Sequence, residues 1–269
     1  EEAKFGFNQN THKIAVDEPI GQFYGFKTIG LYQVDDFNYD SASGTYTLKD
    51  GVPVRDGAQP GYWKFEDVNK DGVVDDNDRT VIGNANPLVY GGINNSFSFR
   101  GFDLSIFFTY SIGAEVLNAT KLNNTLIGGT NRNALNVANS SNRWMTIDSD
   151  GNKVDNLELL KQINQGKTVA SVADLQQGSY YVHSWAVENA SFLRLSNLTL
   201  GYTFPHKIIK NWNIKKLRLY FTGNNLFVAT PYSGFDPEVS TKGNNLTPGV
   251  DFGAYPRNRS FVFGLNITL

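Results

Sequence analysis

The residues of this chain whose types and spacing could do chemistry are oxygen donors. They run Asp67-Val68-Asn69-Lys70-Asp71-Gly72-Val73-Val74-Asp75-Asp76-Asn77-Asp78. This fits the calcium-loop pattern D-x-[DN]-x-[DN]-G-x5-E, with Asp78 in place of the closing Glu. Asp67, Asn69 and Asp71 would supply side-chain oxygens, Val73 its carbonyl, Asp75 a direct or water-bridged contact and Asp78 the last carboxylate, while Gly72 makes the sharp turn. Many flexible oxygen ligands suit calcium better than magnesium. Six carboxylates lie between Glu66 and Asp78, and a divalent ion relieves their mutual repulsion. The other reading is a solvated acidic turn. Because no amphipathic helices flank the run, a bound ion would be structural, stiffening a loop.

Other chemistry is sparse. His12, His183 and His206 are far apart in sequence, and neither H-E-x-x-H nor G-x-S-x-G occurs. There is no cysteine, so no disulfide, thiol nucleophile or thiolate metal site. No active site is assigned, and the expectation is a non-enzyme. A net charge of -2 gives no reason to expect nucleic acid as a partner.

The elements that position these residues are strands. Across 269 residues, 13% aromatic content, 26 Gly and only 19% charged residues lean all-β. Two alternating runs, residues 89–99 and 102–110, are joined by Arg100-Gly101 alone, which is a hairpin signal. With Phe99 opposite Phe102, the set Ile93, Phe97, Phe99, Phe102, Leu104, Ile106, Phe108 and Tyr110 shares one face, and Ser96, Ser98, Asp103, Ser105 and Thr109 the other. A sandwich core or a lipid-facing barrel wall would both read this way.

Further strands are expected at 21–32, at 192–204 with a bulge near Ser196-Asn197 where the alternation slips, around 217–222, and at 261–269. Residues 35–86 and 116–187 read as long loops. The first holds the acidic run and a small hairpin at Tyr46-Thr47-Leu48 across Asp50-Gly51. The second holds a short helix at 155–165 with Leu157, Leu160 and Ile163 on one side and Asp155 as cap. The connections run long, two residues, long, short (205–215) and long (229–258). Strict alternation of this kind marks outer-membrane barrels, whose periplasmic turns are short and extracellular loops long. A sandwich has no reason to sort its loops by end. The parity puts all three long loops on the extracellular side.

Several ordered motifs then resemble one family. They are residues 65–84, Gly101-Phe102-Asp103-Leu104-Ser105, residues 190–202, Thr222-Gly223-Asn224-Asn225-Leu226-Phe227, Gly234-Phe235-Asp236-Pro237-Glu238, and 249–269. Together they resemble the SusC/RagA-like TonB-dependent transporters of Bacteroidetes outer membranes. The resemblance implies that residues 1–269 are the C-terminal part of a longer protein, in which antiparallel strands form a portion of a large transmembrane β-barrel of roughly 22 strands. The plug domain and the segment that contacts TonB would lie N-terminal to it. The family usually ends in Phe, whereas this chain ends in Leu269.

The resemblance further implies nutrient uptake: TonB-driven import of oligosaccharides, or of peptides, with a SusD-like surface lipoprotein as a lid and outer-membrane lipid around the wall. Tyr202 and Phe204 at one end, and Phe227 and Tyr232 at the other, are expected as interfacial girdles or ordinary packing, not ligand contacts. The loop aromatics Tyr62, Trp63, Trp144, Tyr180, Tyr181 and Trp185 either stack on a sugar or pack on a partner. Two alternatives from other classes are a soluble calcium-dependent carbohydrate-binding β-sandwich and a glycoside hydrolase fragment. The second lacks an evident acid/base pair.

Overall fold

The computed structural model describes residues 2–5, 10–125, 133–174, 181–241 and 245–269. The chain divides into two compact units, each assembled from three separate stretches of sequence.

The unit of Ala85–Val116, Glu188–Ser240 and Ala254–Leu269 is built on one antiparallel five-stranded sheet. In spatial order its strands are Val89–Phe99, Phe102–Ile112, Phe192–Thr203, Lys216–Ala229 and Ser260–Thr268. The first two form the expected hairpin, with Phe99 opposite Phe102. Arg100 and Gly101 both take positive φ, 46° and 89°, the type I′ turn whose twist matches that of the flanking strands. A Cβ on Gly101 would stand 2.7 Å from the Thr203 carbonyl oxygen, so this position requires Gly sterically as well as conformationally.

The register explains the two faces. Phe102 pairs with Tyr202, Tyr202 with Leu219 and Leu219 with Leu265, and the next row is Leu104, Leu200, Phe221 and Phe263. One apolar face therefore runs across all five strands, and it is open: Phe97, Phe99, Phe102, Leu200, Leu219, Phe227, Phe261 and Leu265 are all exposed, and Phe263 is 80% exposed. On the opposite face polar side chains bond one another across strands. Thr199 meets Thr222 at 2.9 Å, Asn197 donates to Asn224 at 2.8 Å, Asn224 donates to Ser260 at 3.0 Å, and Thr109 meets Ser196 at 2.7 Å.

The register slips at Ser196 on both sides of its strand, between Phe107 and Phe108 and between Leu195 and Asn197. This is the expected bulge, and it restores the phase of Leu193 and Leu195 to the apolar face. Both short connections, Arg100-Gly101 and residues 204–215, lie at one end, where Thr203 donates to the Gly101 carbonyl and Lys215 to that of Thr268. At the other end the strands run into the long connections.

The unit of Glu1–Asn84, Leu117–Val187 and Thr241–Gly253 has its own core. Phe26, Leu31, Trp63, Phe65, Val74, Trp144 and Leu160 pack together, and Tyr32, Phe37 and Ala58 form a second cluster. Substantial parts of all three long connections thus fold rather than trail.

Three sequence expectations are corrected in this unit. Residues 21–32 are not one long strand of the large sheet. They form Gln22–Gly25, in a small four-stranded sheet, and Thr28–Leu31, paired with Trp63–Phe65. Phe23, Tyr24, Phe26, Leu31 and Tyr32 are all buried, so the glycine-dotted aromatic run has both its sides covered, and the backbone of Val182 passes within 2.3 Å of where a Cβ on Gly25 would sit. The small hairpin turns at residues 41–44, pairing Phe37–Asp40 with Thr45–Leu48, and not across Asp50-Gly51. The helix spans Leu157–Ile163, and Asn156, not Asp155, caps it by accepting from the Leu159 amide at 3.0 Å. Asp155 pairs instead with Lys153 at 2.7 Å.

Candidate functional site

The acidic run folds as a tight, self-bonded turn. Asp67 accepts from the amides of Lys70 (2.6 Å) and Gly72 (2.8 Å), Asn69 from Asp71 (2.9 Å), Asp71 from Val73 (2.8 Å) and Asp75 from Asn77 (2.8 Å). Gly72 takes φ 88°, the left-handed conformation its place in the turn demands. Asp78 is fully buried, and its two oxygens accept from the amides of Val68 (2.8 Å), Asn69 (3.3 Å) and Asp75 (2.9 Å). It therefore closes the turn by binding backbone. Among the described residues no group of three or more His, Cys, Asp or Glu side chains stands together as a metal centre. The donor set is nonetheless all oxygen, and a carboxylate oxygen bonded to one amide keeps a second lone pair.

Most of the loop aromatics are core. Trp63 and Trp144 are buried, and Tyr181 and Trp185 pack against the same cluster. Tyr180 lies outside the described residues. Tyr62 packs against the second cluster and also lines a cavity of about 220 Å³ together with Tyr39, Tyr46, Trp144, Lys153 and Asp155. Tyr39 and Tyr46, which no sequence pattern singled out as a pair, stand with ring centroids 4.8 Å apart. Of the expected girdle residues, Tyr202 packs on Phe102 and Phe204 at the short-turn end, and Phe227 is exposed on the apolar face. Tyr232 is ordinary packing and not girdle: it is buried in a cluster with Val116, Ala190 and Val239.

Two buried ionic networks hold the loops. In the sheet unit, Arg194 donates through Nη2 to Asp236 (2.7 Å) and through Nε to Glu238 (2.9 Å), and Arg257 donates to Glu238 (3.1 Å). Asp236 also accepts from the amides of Glu238 (3.0 Å) and Arg257 (3.3 Å). Three of the motifs quoted above thus meet in one cluster.

In the other unit, Arg55 grips both oxygens of Asp174, which also accepts from the Trp63 amide at 2.6 Å. Burial works against the Arg55 charge, but the Asp174 carboxylate outweighs it and holds the guanidinium above its ordinary pKa. Tyr32 donates to the Pro53 carbonyl at 3.0 Å, and burial raises its phenol to about 12.

His12 and His183 are packed inside the loop unit, whereas His206 is exposed at the start of the short helix His206–Ile209. His12 is buried, with Nε2 2.9 Å from the Pro248 carbonyl, and burial lowers its pKa. His183 is buried among Trp63, Phe65 and Trp185, its Nδ1 2.7 Å from Thr28 Oγ1. Burial, with the positive charges of Arg55 and Lys121, lowers it to about 3.

No family model matches the chain. It is 30% identical over 264 residues to the TonB-dependent receptor P3 of Formosa agariphila, covering 96% of this chain and 23% of that protein. To P39, another TonB-dependent receptor of the same organism, it is 30% identical over 292 residues, covering 97% and 26%. To the TonB-dependent receptor SusC of Bacteroides thetaiotaomicron it is 29% identical over 205 residues, covering 76% and 17%. The chain thus spans about a quarter of the length of the curated relatives it matches most fully. Among solved structures, the RagAB peptide importer in its open-open state superimposes with a TM-score of 0.61 at 20% identity, over 99% of this chain and 24% of that one. At that identity the likeness shows the fold.

Proposed function

This chain belongs to the SusC/RagA-like TonB-dependent receptors, and from that premise we propose that it forms wall and outer vestibule in an importer of oligosaccharides, or of peptides, across the outer membrane. The observation that carries this reading is the five-stranded sheet. It has a continuous exposed apolar face, a hydrogen-bonded polar face, and its short turns at one end. In water such a face would be a liability; against lipid it is the stable arrangement, with the polar face toward a wet lumen. The edge strands Val89–Phe99 and Ser260–Thr268 leave the sheet open, and further strands of the longer protein would pair with them to close a barrel.

In this reading the short turns face the periplasm and the long connections lie on the extracellular side. A SusD-like surface lipoprotein closes over the loops as a lid, and TonB, engaged through a part of the protein N-terminal to this chain, supplies energy from the proton-motive force. The acidic turn holds a structural calcium ion through Asp67, Asn69, Asp71, the Val73 carbonyl and Asp75, with Asp78 organising the backbone beneath them. If calcium leaves thermal stability unchanged in the wild type and in Asp71→Ala alike, that part is wrong.

Uptake tests the whole. Cells expressing the full-length protein should accumulate labelled oligosaccharide or peptide too large for porins, and should lose that uptake on removal of TonB. Uptake that persists without TonB would refute import by this route.

A further inference from the structure

Charge is distributed unevenly at the short-turn end of the large sheet. The connection 204–215 and the strand residue after it carry Lys207, Lys210, Lys215 and Lys216, the hairpin turn carries Arg100, and no Asp or Glu occurs between Glu188 and Asp236. The whole chain holds 26 acidic residues against 24 basic ones, so the excess is local. All five cations are exposed, and none stands in an ion pair with a carboxylate among the described residues. The one acid in the last rows of strands, Asp103, is taken by Arg218, which donates to it through Nε at 2.9 Å and through Nη2.

The turn that carries the lysines is pinned in place. Ile209 is fully buried, the Phe204 amide donates to the Leu217 carbonyl at 2.9 Å, and the Lys215 amide donates to that of Thr268 at 2.8 Å. Ile208 and Trp212, four residues apart in the helical turns His206–Ile209 and Lys210–Trp212, share a side and are 54% and 61% exposed. An exposed Trp between an apolar wall and a row of lysines is the composition of a membrane–water interface. Just inside this end, on the apolar face, Phe102, Tyr202, Leu219 and Phe263 border an open groove of about 320 Å³. Lys215 falls in the same alternate row as Leu217 and Leu219, about 13 Å of strand from Leu219, within the roughly 15 Å hydrocarbon depth of one leaflet. Lys216 falls in the opposite row, with Arg218 on the polar face.

We infer that this end of the sheet binds an anionic phospholipid of the periplasmic leaflet, with an acyl chain in the groove and the headgroup phosphate among Arg100, Lys207, Lys210 and Lys215. The inference rests on the import reading above, which sets the short turns on the periplasmic side. A zwitterionic headgroup brings its own cation and leaves the lysines unmatched, whereas a phosphodiester without one complements them. Free phosphate has no use for the groove. Lysines serve here because an ammonium on a flexible stem follows a mobile headgroup without demanding one geometry.

The test uses the full-length protein in mild detergent. Phosphatidylglycerol and phosphatidylcholine with identical acyl chains are titrated in competition, and bound lipid is counted by native mass spectrometry at low and high ionic strength. The wild type should prefer phosphatidylglycerol at low ionic strength and lose most of that preference at high. Lys207→Gln combined with Lys210→Gln, and Lys215→Gln alone, should each cut the preference about fivefold or more, with thermal stability unchanged because these side chains are exposed. Lys207→Arg with Lys210→Arg, which keeps both charges, should retain it. Lys216→Gln, on the polar face, and Lys27→Gln combined with Lys49→Gln, exposed lysines of the loop unit, should leave it as in the wild type.

An unaltered preference in the Lys207, Lys210 and Lys215 variants would overturn the site while leaving the lipid-facing wall intact. An equal loss in Lys216→Gln would put the anion on the polar side and overturn lipid as its source, as would displacement of the lipid by inorganic phosphate or by a soluble acidic protein. A protein that stays monodisperse without detergent and retains neither lipid would remove the wall reading, and the site with it.

Discussion

Arg194→Met is the perturbation whose size the structure defines best. Arg194 is 3% exposed and Asp236 6% by side chain, so their 2.7 Å contact is desolvated. Removing one partner of a buried pair costs roughly 3–5 kcal/mol, mainly because the other charge is stranded. Here Asp236 keeps two backbone amides and Glu238 keeps Arg257, which places the loss near the lower end, about 3 kcal/mol. At about 1.4 kcal/mol per factor of ten, opening of residues 230–240 and 254–258 becomes roughly 150-fold more frequent. Hydrogen exchange on the full-length protein in detergent should show faster exchange of that order in those amides, against little change in the 102–112 strand.

Arg257→Ala provides the contrast, because Arg257 is 52% exposed; an exposed pair is worth about 1 kcal/mol or less, hence fivefold or less. Adding Asp236→Asn to Arg194→Met should restore much of the protection, since no stranded charge remains. If Arg194→Met changes exchange by less than about fivefold, the network is not what holds the loop.

Other consequences are independent of that network. His183 stays neutral when folded down to about pH 3, whereas its unfolded counterpart protonates near 6.5, so acidification favours the unfolded form. The loop unit should lose about 2 kcal/mol between pH 6.5 and 5 from this group, and His183→Gln should flatten that part of its stability–pH curve. Phe263→Arg, on the apolar face, should cost about 2–4 kcal/mol of folding free energy in lipid if it lies near the midplane. Arg at Asn266, on the polar face, should cost far less, and equilibrium folding into liposomes compares them. Gly101→Val forces a β-branched residue to φ 89° beside the Thr203 carbonyl; a loss of about 1–3 kcal/mol should appear in the same assay.

What was legible in the sequence was whatever depends on near neighbours. The Arg100-Gly101 hairpin, the bulge at Ser196 and the two faces of the sheet follow from turn chemistry and from the period of two, both of which act within a few residues. The sorting of connections by length was equally readable, because it needs only strand positions. What was hidden depends on contacts distant in sequence. Residues 21–32 look like a wall strand until the passage of Val182 against Gly25 shows that both their sides are covered. Trp63 and Trp144 look available to ligand until they are found buried together.

The Arg194 cluster joins residues 42 and 44 apart. Its one sequence signal is a charged residue between Leu193 and Leu195, on the polar side of an alternating strand. The cap at Asn156 was missed by one residue, since Asp155 and Asn156 are equally good caps and only the helix phase decides between them.

That this chain forms wall and vestibule of an outer-membrane importer, as proposed above, can be tested directly in native membranes. Native outer membranes should be probed with an antibody to the 229–258 loop, recording the mass of the polypeptide, its heat-modifiability and what co-purifies in mild detergent. The account predicts a heat-modifiable band several times 29.9 kDa, accompanied by a surface lipoprotein. A band near 29.9 kDa in the soluble fraction, with no partner, would contradict it.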